Sequence, residues 1–282
     1  MKSKLFAKLL ALLIGMAASA FAFAAPIPFT LAGGYVGPVK IKFSNYENLD
    51  KATGGACTPI AVGCVNYGIL DVTQILNPVT NAVLWTKGQD GGFLSGVFNG
   101  ITVASVSGSA PNINVLSTGG VAKIYLNPTA IDPTLGTGGY IGPVGGLAYN
   151  TVTNVAGGSL FLSLVFDAGC DLAGHTVCGT FNSSTTPFSG AVGSSFLSVT
   201  GAGSHDAMFD TNGQVTALGG HSDFLSQNTF CPNGDPRCGG PVGNWQLLSD
   251  DPIRGRVIPE PETLALVGIA LFGLGFSGRR KS

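Results

Sequence analysis

Gly203-Ser204-His205-Asp206 sets a serine, a histidine and a carboxylate side by side. These are the residue types of a nucleophilic relay, in which a base takes the serine proton and the carboxylate orients the base. Neighbours in sequence cannot face one another as that relay requires. The three histidines, His175, His205 and His221, never fall into H-E-x-x-H spacing. The chain has no G-x-S-x-G elbow and no G-x-x-x-x-G-K-[ST] phosphate loop. The residues therefore predict no catalytic group and no cofactor.

Asp206, Asp210, Asn212, His221 and Asp223 make an oxygen-rich stretch. Asp210-x-Asn212-Gly213 matches part of a calcium-binding loop, but Met208 stands at the first carboxylate position and no glutamate closes the loop. Two readings stand: a calcium site outside the EF-hand pattern, or a hairpin turn over Asp210-Thr211-Asn212-Gly213 with solvated carboxylates. The hairpin is the expectation, with Met208-Phe209 and Val215-Thr216-Ala217 as its flanks.

Six cysteines fall into three local pairs, Cys57 with Cys64, Cys170 with Cys178, and Cys231 with Cys238. Six cysteines allow about fifteen pairings. The local one is expected, because each cysteine has one near neighbour. Zinc sites use tighter C-x₂₋₄-C spacing, often with paired histidines. Here only His175 lies near a cysteine, so disulfides are expected and metal is not. Trp85 and Trp245 are the residues that could stack on a sugar ring. Both sit in apolar, strand-like surroundings, where a tryptophan is more often core.

The elements that must position these residues read as β. Val39, Ile41 and Phe43 alternate with Lys40 and Lys42; Leu160, Leu162, Leu164 and Phe166 alternate with Ser159, Ser163 and Asp167. Ala122, Ile124 and Leu126 share one face of a third run. Period-two spacing marks half-buried strands. Further strands are expected over Val65 to Leu76, Gly92 to Val106 and Phe196 to Thr200. The 43 glycines supply tight turns. The expected fold is all-β, a Gly-rich antiparallel sandwich spanning residues 25–256, flanked by an N-terminal signal helix and a C-terminal transmembrane helix. Gly33-Gly34-Tyr35-Val36-Gly37-Pro38-Val39 has an echo in Gly138-Gly139-Tyr140-Ile141-Gly142-Pro143-Val144. The residues that follow do not match, so the echo is read as reused turn chemistry.

Both ends differ from the body. Residues 1–24 run from a basic start (Lys2, Lys4) through an apolar stretch to Ala22-Phe23-Ala24, the order of a cleaved secretory signal. Signal peptidase is expected to cut between Ala24 and Ala25, after delivery of the chain to the secretion machinery. Between residues 25 and 258 there remain eight basic and thirteen acidic residues. Such a surface does not attract phosphate backbones, and nucleic acid is not an expected partner. Residues 257–282 comprise Pro259-Glu260-Pro261, an apolar run from Leu264 to Phe276, and Arg279-Arg280-Lys281. The prolines force an extended entry. The apolar run is about 20 Å long as a helix, short of the ~30 Å hydrocarbon core; Thr263, Ser277 and snorkelling arginines extend it. The basic cluster is expected to stay cytoplasmic and hold the segment in the inner membrane.

Val257 to Lys281 closely resembles the PEP-CTERM sorting signal of Gram-negative bacteria. The resemblance rests on Pro259-Glu260-Pro261, Thr263-Leu264-Ala265-Leu266, the glycine-punctuated apolar run and the terminal Arg279-Arg280-Lys281. Glu262 departs from the family pattern, which more often has a small residue there. The resemblance implies recognition by an exosortase, transient membrane anchoring, cutting at or near Pro259-Glu260-Pro261, and outward release. It also implies a setting of biofilm, floc or exopolysaccharide. It says nothing about residues 25–256. The expected function is a non-enzymatic surface or extracellular-matrix protein; the alternatives are a carbohydrate-binding module of the matrix and, less favoured, a secreted hydrolase.

Overall fold

The computed structural model describes residues 27–51, 55, 57, 59–133, 157–182, 190–232, 235 and 245–259. Ala24, Ala25, Cys238, Glu260, Pro261, Arg279, Arg280, Lys281 and the segment 138–144 lie outside the described residues, as do both expected flanking helices. Among the described residues, no helix is long and apolar enough to cross a membrane.

The strands are β1 (Gly37–Lys51), β2 (Cys64–Leu76), β3 (Val83–Thr86), β4 (Phe93–Ser109), β5 (Asn112–Thr118), β6 (Val121–Asn127), β7 (Ser159–Asp167), β8 (Val177–Phe181), β9 (Ala191–Val199), β10 (Gln214–Val215), β11 (His221–Ser222), β12 (Phe224–Pro232) and β13 (Leu247–Val257). A short α-helix, α1, spans Asp206–Phe209. The expected alternation is realised in β1, where Val39, Ile41 and Phe43 are buried and Lys40, Lys42 and Ser44 are half-buried on the other face.

All strands but β10 and β11 belong to one antiparallel sheet. Its pairings close on themselves. β1 pairs with β2 on one side and β13 on the other. β2 pairs with β4, and β12 joins β13 to β9. Between β4 and β9 lie two interrupted walls. β5 and β6 both pair with β4, end to end, and meet β8 and β7 respectively. β7 and β8 in turn both pair with β9. Counting β5–β6 and β7–β8 as one wall strand each, eight wall strands follow one another in chain order, and the last pairs with the first. This is an up-and-down barrel. β3 pairs with β2 beyond the ring.

The antiparallel β expectation is thus met in a particular form. The face-to-face walls of the expected sandwich are parts of a single sheet with its two edges joined. Alternation reports which face is buried; it does not report whether the edges meet.

Gly119-Gly120 makes the bend between β5 and β6. Gly120 has φ +111°, and a Cβ there would lie 2.8 Å from Ile101 Cγ1 and from a ring carbon of Phe166. The wall can turn there only without a side chain.

The barrel is filled from both ends. At the end where β1 begins, Phe29 packs edge-on to Phe161, with ring centroids 4.6 Å apart, and stands 6.1 Å from Trp85. Phe209 of α1 completes this plug against Phe224 at 5.6 Å. At the far end Leu49, Cys57, Ile60, Cys64, Ile113, Phe181, Phe230 and Leu247 form a second cluster.

Candidate functional site

The inner surface of the barrel is concave, and wall strands all round the ring contribute to it. A cavity of about 90 Å³ lies within it, bounded by apolar groups such as Phe43, Leu70, Phe98, Ile124, Phe166 and Phe230. A polar row interrupts that lining. Asn45 and Glu47 of β1 and Asn66 of β2 line the cavity. Asn45 and Glu47 are only 6% and 2% exposed. Alternation places Asn45 and Glu47 on the same inward face as Phe43 and Leu49. Gly68 pairs with Glu47 on one side and Phe98 on the other, so the row has no side chain between them.

The Glu47 carboxylate accepts the Asn45 Nδ2 proton at 3.2 Å and the Asn66 Nδ2 proton at 2.8 Å. Both amides therefore donate to one carboxylate. Their own oxygens, Asn45 Oδ1 and Asn66 Oδ1, are buried without a hydrogen-bond partner. Ser249 of β13 pairs directly with Asn45 and so shares its inward face. Its Oγ is likewise buried without a partner, and the residue is 2% exposed. Sequence reasoning missed this row, because polar residues at strand positions look like the solvated face. The signal was their phase: Asn45 and Glu47 continue the inward parity of Val39, Ile41 and Phe43.

The residues singled out from sequence are placed elsewhere. Asp206 is 2% exposed, and its two oxygens accept the backbone N–H groups of Ser163 at 2.9 Å and Gly203 at 3.0 Å. It ties α1 to β7. Ser204 Oγ lies 2.9 Å from His205 Nδ1, and the His205 ring stacks on Phe161 at 4.4 Å. Asp206 is thus committed to backbone donors, and the three neighbours do not line up as a relay.

Asp223 accepts from Thr211 and Asn212 N–H through Oδ1, at 2.6 and 2.8 Å, and from Val199 N–H through Oδ2 at 2.9 Å. This corrects the expected hairpin. The reversal comes between β10 and β11, with Val215 opposite His221, and Met208-Phe209 lies in α1. Segment 210–213 is instead an irregular strap, which the Asp223 carboxylate holds by its backbone.

Cys57–Cys64 and Cys170–Cys178 are bridged, and Cys231 is disulfide-bonded. Cys170, Asp171 and Cys178 lie close enough to suggest a metal cluster, but both sulfurs are spent in the bridge. The Asp171 carboxylate accepts from His175 and Ala173 N–H and contacts His175 Nδ1 at 2.7 Å. Those bonds, the His175 backbone N–H first, hold it below the ordinary carboxylate value.

Trp85 is 1% exposed within β3, and Trp245, 3% exposed, precedes β13 rather than lying in a strand. Trp245 donates its indole N–H to Pro133 O at 2.9 Å. Neither indole offers a face to solvent. The outer wall does carry an uncharged polar trough, which includes Ser107, Asn114, Thr180, Ser194, Gln227 and Thr229.

Both ends of the barrel body emerge together. Gly37 pairs with Val257, and Ile258 N–H donates to Met208 O at 2.9 Å. Pro259, half-buried, follows directly. A family model for the PEP-CTERM protein-sorting motif matches residues 257–281, beginning at the last residue of β13. No curated protein and no solved structure matches the chain.

Proposed function

We propose that this chain, which carries a PEP-CTERM protein-sorting motif and is thereby an exosortase-targeted exported surface protein, acts without catalysis as a component of the cell surface or extracellular matrix. In this reading the signal peptide exports the chain and Arg279-Arg280-Lys281 hold the C-terminal segment in the inner membrane. The exosortase then cuts at Pro259-Glu260-Pro261 and frees the barrel into biofilm, floc or exopolysaccharide.

One observation carries the reading: the matched motif starts where the barrel stops. Val257 is the last paired residue of β13, and Pro259 lies outside the ladder. Cutting beyond it removes no wall hydrogen bond, so the released body keeps its closed fold. The outer face supports an aqueous destination. Lys40, Lys42, Lys123, Arg254 and Arg256 point away from the apolar interior, the reverse of a barrel that faces lipid.

The test changes Pro259, Glu260 and Pro261 to alanine and fractionates the cells. The expected result is a folded body retained in the membrane fraction. Normal release into matrix or medium sinks the reading.

The alternative of a carbohydrate-binding module draws support from the outer trough, whose hydroxyls and amides suit sugar hydroxyls. Burial of Trp85 and Trp245 removes the stacking platform such modules use. Retention of the released protein on a column of the producer's own exopolysaccharide would favour it.

A further inference from the structure

We infer that the outer face of the β1–β13 seam is a docking surface for anionic lipid headgroups. The inference rests on the proposed reading that residues 264–276 anchor the chain in a membrane before cutting, and it adds where the barrel then lies.

Residues 25–258 carry eight basic and thirteen acidic residues. Four of the eight, Lys40, Lys42, Arg254 and Arg256, stand on the outer face of these two adjoining strands. Lys40 lies directly opposite Arg254. Lys42 is diagonal to Arg254, and Arg256 is diagonal to Lys40. Like charges directly opposite one another destabilise a sheet. Among the described residues none of the four cationic heads has an ion pair; the pairs present are Lys87 with Asp71 and His175 with Asp171. The basic run is bounded two residues beyond Lys42, where Ser44 pairs with Asp250. A body that is acidic overall thus gathers half its positive charge where the charges repel one another. That arrangement calls for an anionic partner.

Position and surroundings select the partner. Arg256 is three residues before Pro259 and eight before Leu264. Eight extended residues span at most about 28 Å, so the anchor tethers the seam beside the membrane surface. Exposed apolar side chains flank the patch. Val36, 48% exposed, precedes β1, and Val79, 83% exposed, lies in the β2–β3 turn. Asn77 ties that turn to Tyr35 by donating to its hydroxyl at 3.2 Å, and Leu76 at its base pairs with Lys40. Cations beside exposed aliphatic groups suit a membrane interface: ammonium and guanidinium groups meet the phosphates, and the valines enter the headgroup–acyl boundary. A dissolved polyanion would use the charges and leave the valines in water. The docked barrel leans its seam on the lipid and holds Pro259 at headgroup level.

The test places the purified full chain in lipid nanodiscs of phosphatidylcholine alone, or of phosphatidylcholine and phosphatidylglycerol in equal parts. Lysines are reductively methylated for a fixed time and quantified by mass spectrometry. Lys123, exposed on β6 across the ring from the seam, is the internal reference. Methylation of Lys40 and Lys42 is expected to slow at least about threefold in the anionic discs, and high salt to restore most of it. Lys123 is expected to react equally in both. Arg254→Gln combined with Arg256→Gln should abolish the protection, and Arg254→Lys combined with Arg256→Lys should keep it. If the glutamine variant does not fold, Lys40→Gln, read through Lys42, serves in its place. Equal reactivity of Lys40 and Lys42 in the two lipids, a slowing shared by Lys123, or protection that survives the loss of both arginine charges each overturns the proposal. So does protection given in neutral discs by dissolved polygalacturonate but not by phosphatidylglycerol, which makes the partner a polysaccharide. A chain that fails to enter discs at all overturns the anchoring reading and the docking with it; a chain that enters without protection overturns the docking alone.

Discussion

Gly37 and Val257 face each other across the seam between the first and last wall strands. The chain therefore enters and leaves the barrel at the same end, the end plugged by Phe29, Phe161 and Phe209. Before processing, this plugged end faces the membrane in the proposed pathway, and the Leu49–Phe181–Phe230 end faces away. The seam also sets a sharp limit on truncation. A chain stopped after Ile258 should fold, bypass the membrane and appear in the medium. A chain stopped after Ser249 loses the β13 residues that pair with Gly37 to Ser44 and should be degraded. Limited proteolysis and blotting of cell fractions distinguish the two.

The bend at Gly120 should be intolerant of any side chain. Gly120→Ala combines an unfavourable φ with a clash against Ile101 and Phe166. A loss of about 2–4 kcal/mol is expected. Gly219 also has a positive φ, +78°, but a Cβ there meets open space, so Gly219→Ala should cost only about 1 kcal/mol. Urea denaturation of both variants checks the contrast.

Asp71 is buried on β2 and paired with Lys87 at 2.5 Å. Burial pushes its carboxyl above the ordinary 3.8, and the Lys87 ammonium offsets part of that rise. A carboxyl raised in the fold holds its proton more firmly when folded than when unfolded. Its contribution to stability is therefore most favourable below the ordinary value and is lost as pH rises through the raised one. Lys87→Met should push the carboxyl higher and cost about 1–2 kcal/mol at neutral pH. The penalty should vanish in acid and in the Asp71→Asn, Lys87→Met double variant. Denaturant melts across the acid range measure this.

The two described disulfides should differ in importance. Each closes a small loop, worth about 2–3 kcal/mol in chain entropy. Cys57 and Cys64 are also 2% and 1% exposed within the cluster that fills the far end of the barrel. Replacing that pair with alanine should cost more than replacing Cys170 and Cys178, which brace a half-buried loop outside the wall. Thermal midpoints of the two double variants, compared with the parent, test the order.

Much of this was legible in the chain itself. Alternation marked β1, β6 and β7, because a strand that buries one face must repeat every second residue; β2, β4 and the end of β9 were expected as further strands. The address at 257–281 was legible because Pro259-Glu260-Pro261, an apolar run and a basic end are contiguous and need no fold to be recognised. Local cysteine spacing pointed to Cys57–Cys64 and Cys170–Cys178 for the same reason. Closure of the sheet was not legible, since it depends on β1 meeting β13 some 200 residues later. Nor were the roles of Asp206 and Asp223. They looked like chemistry in sequence and are backbone staples in the fold, because their partners Ser163 and Val199 are far away in the chain. Asn45, Asn66 and Ser249 were the reverse: ordinary polar residues in three separate strands, brought onto one inward face only when the ring closed. Local pattern determines which residues can be buried; only tertiary pairing decides which buried groups meet.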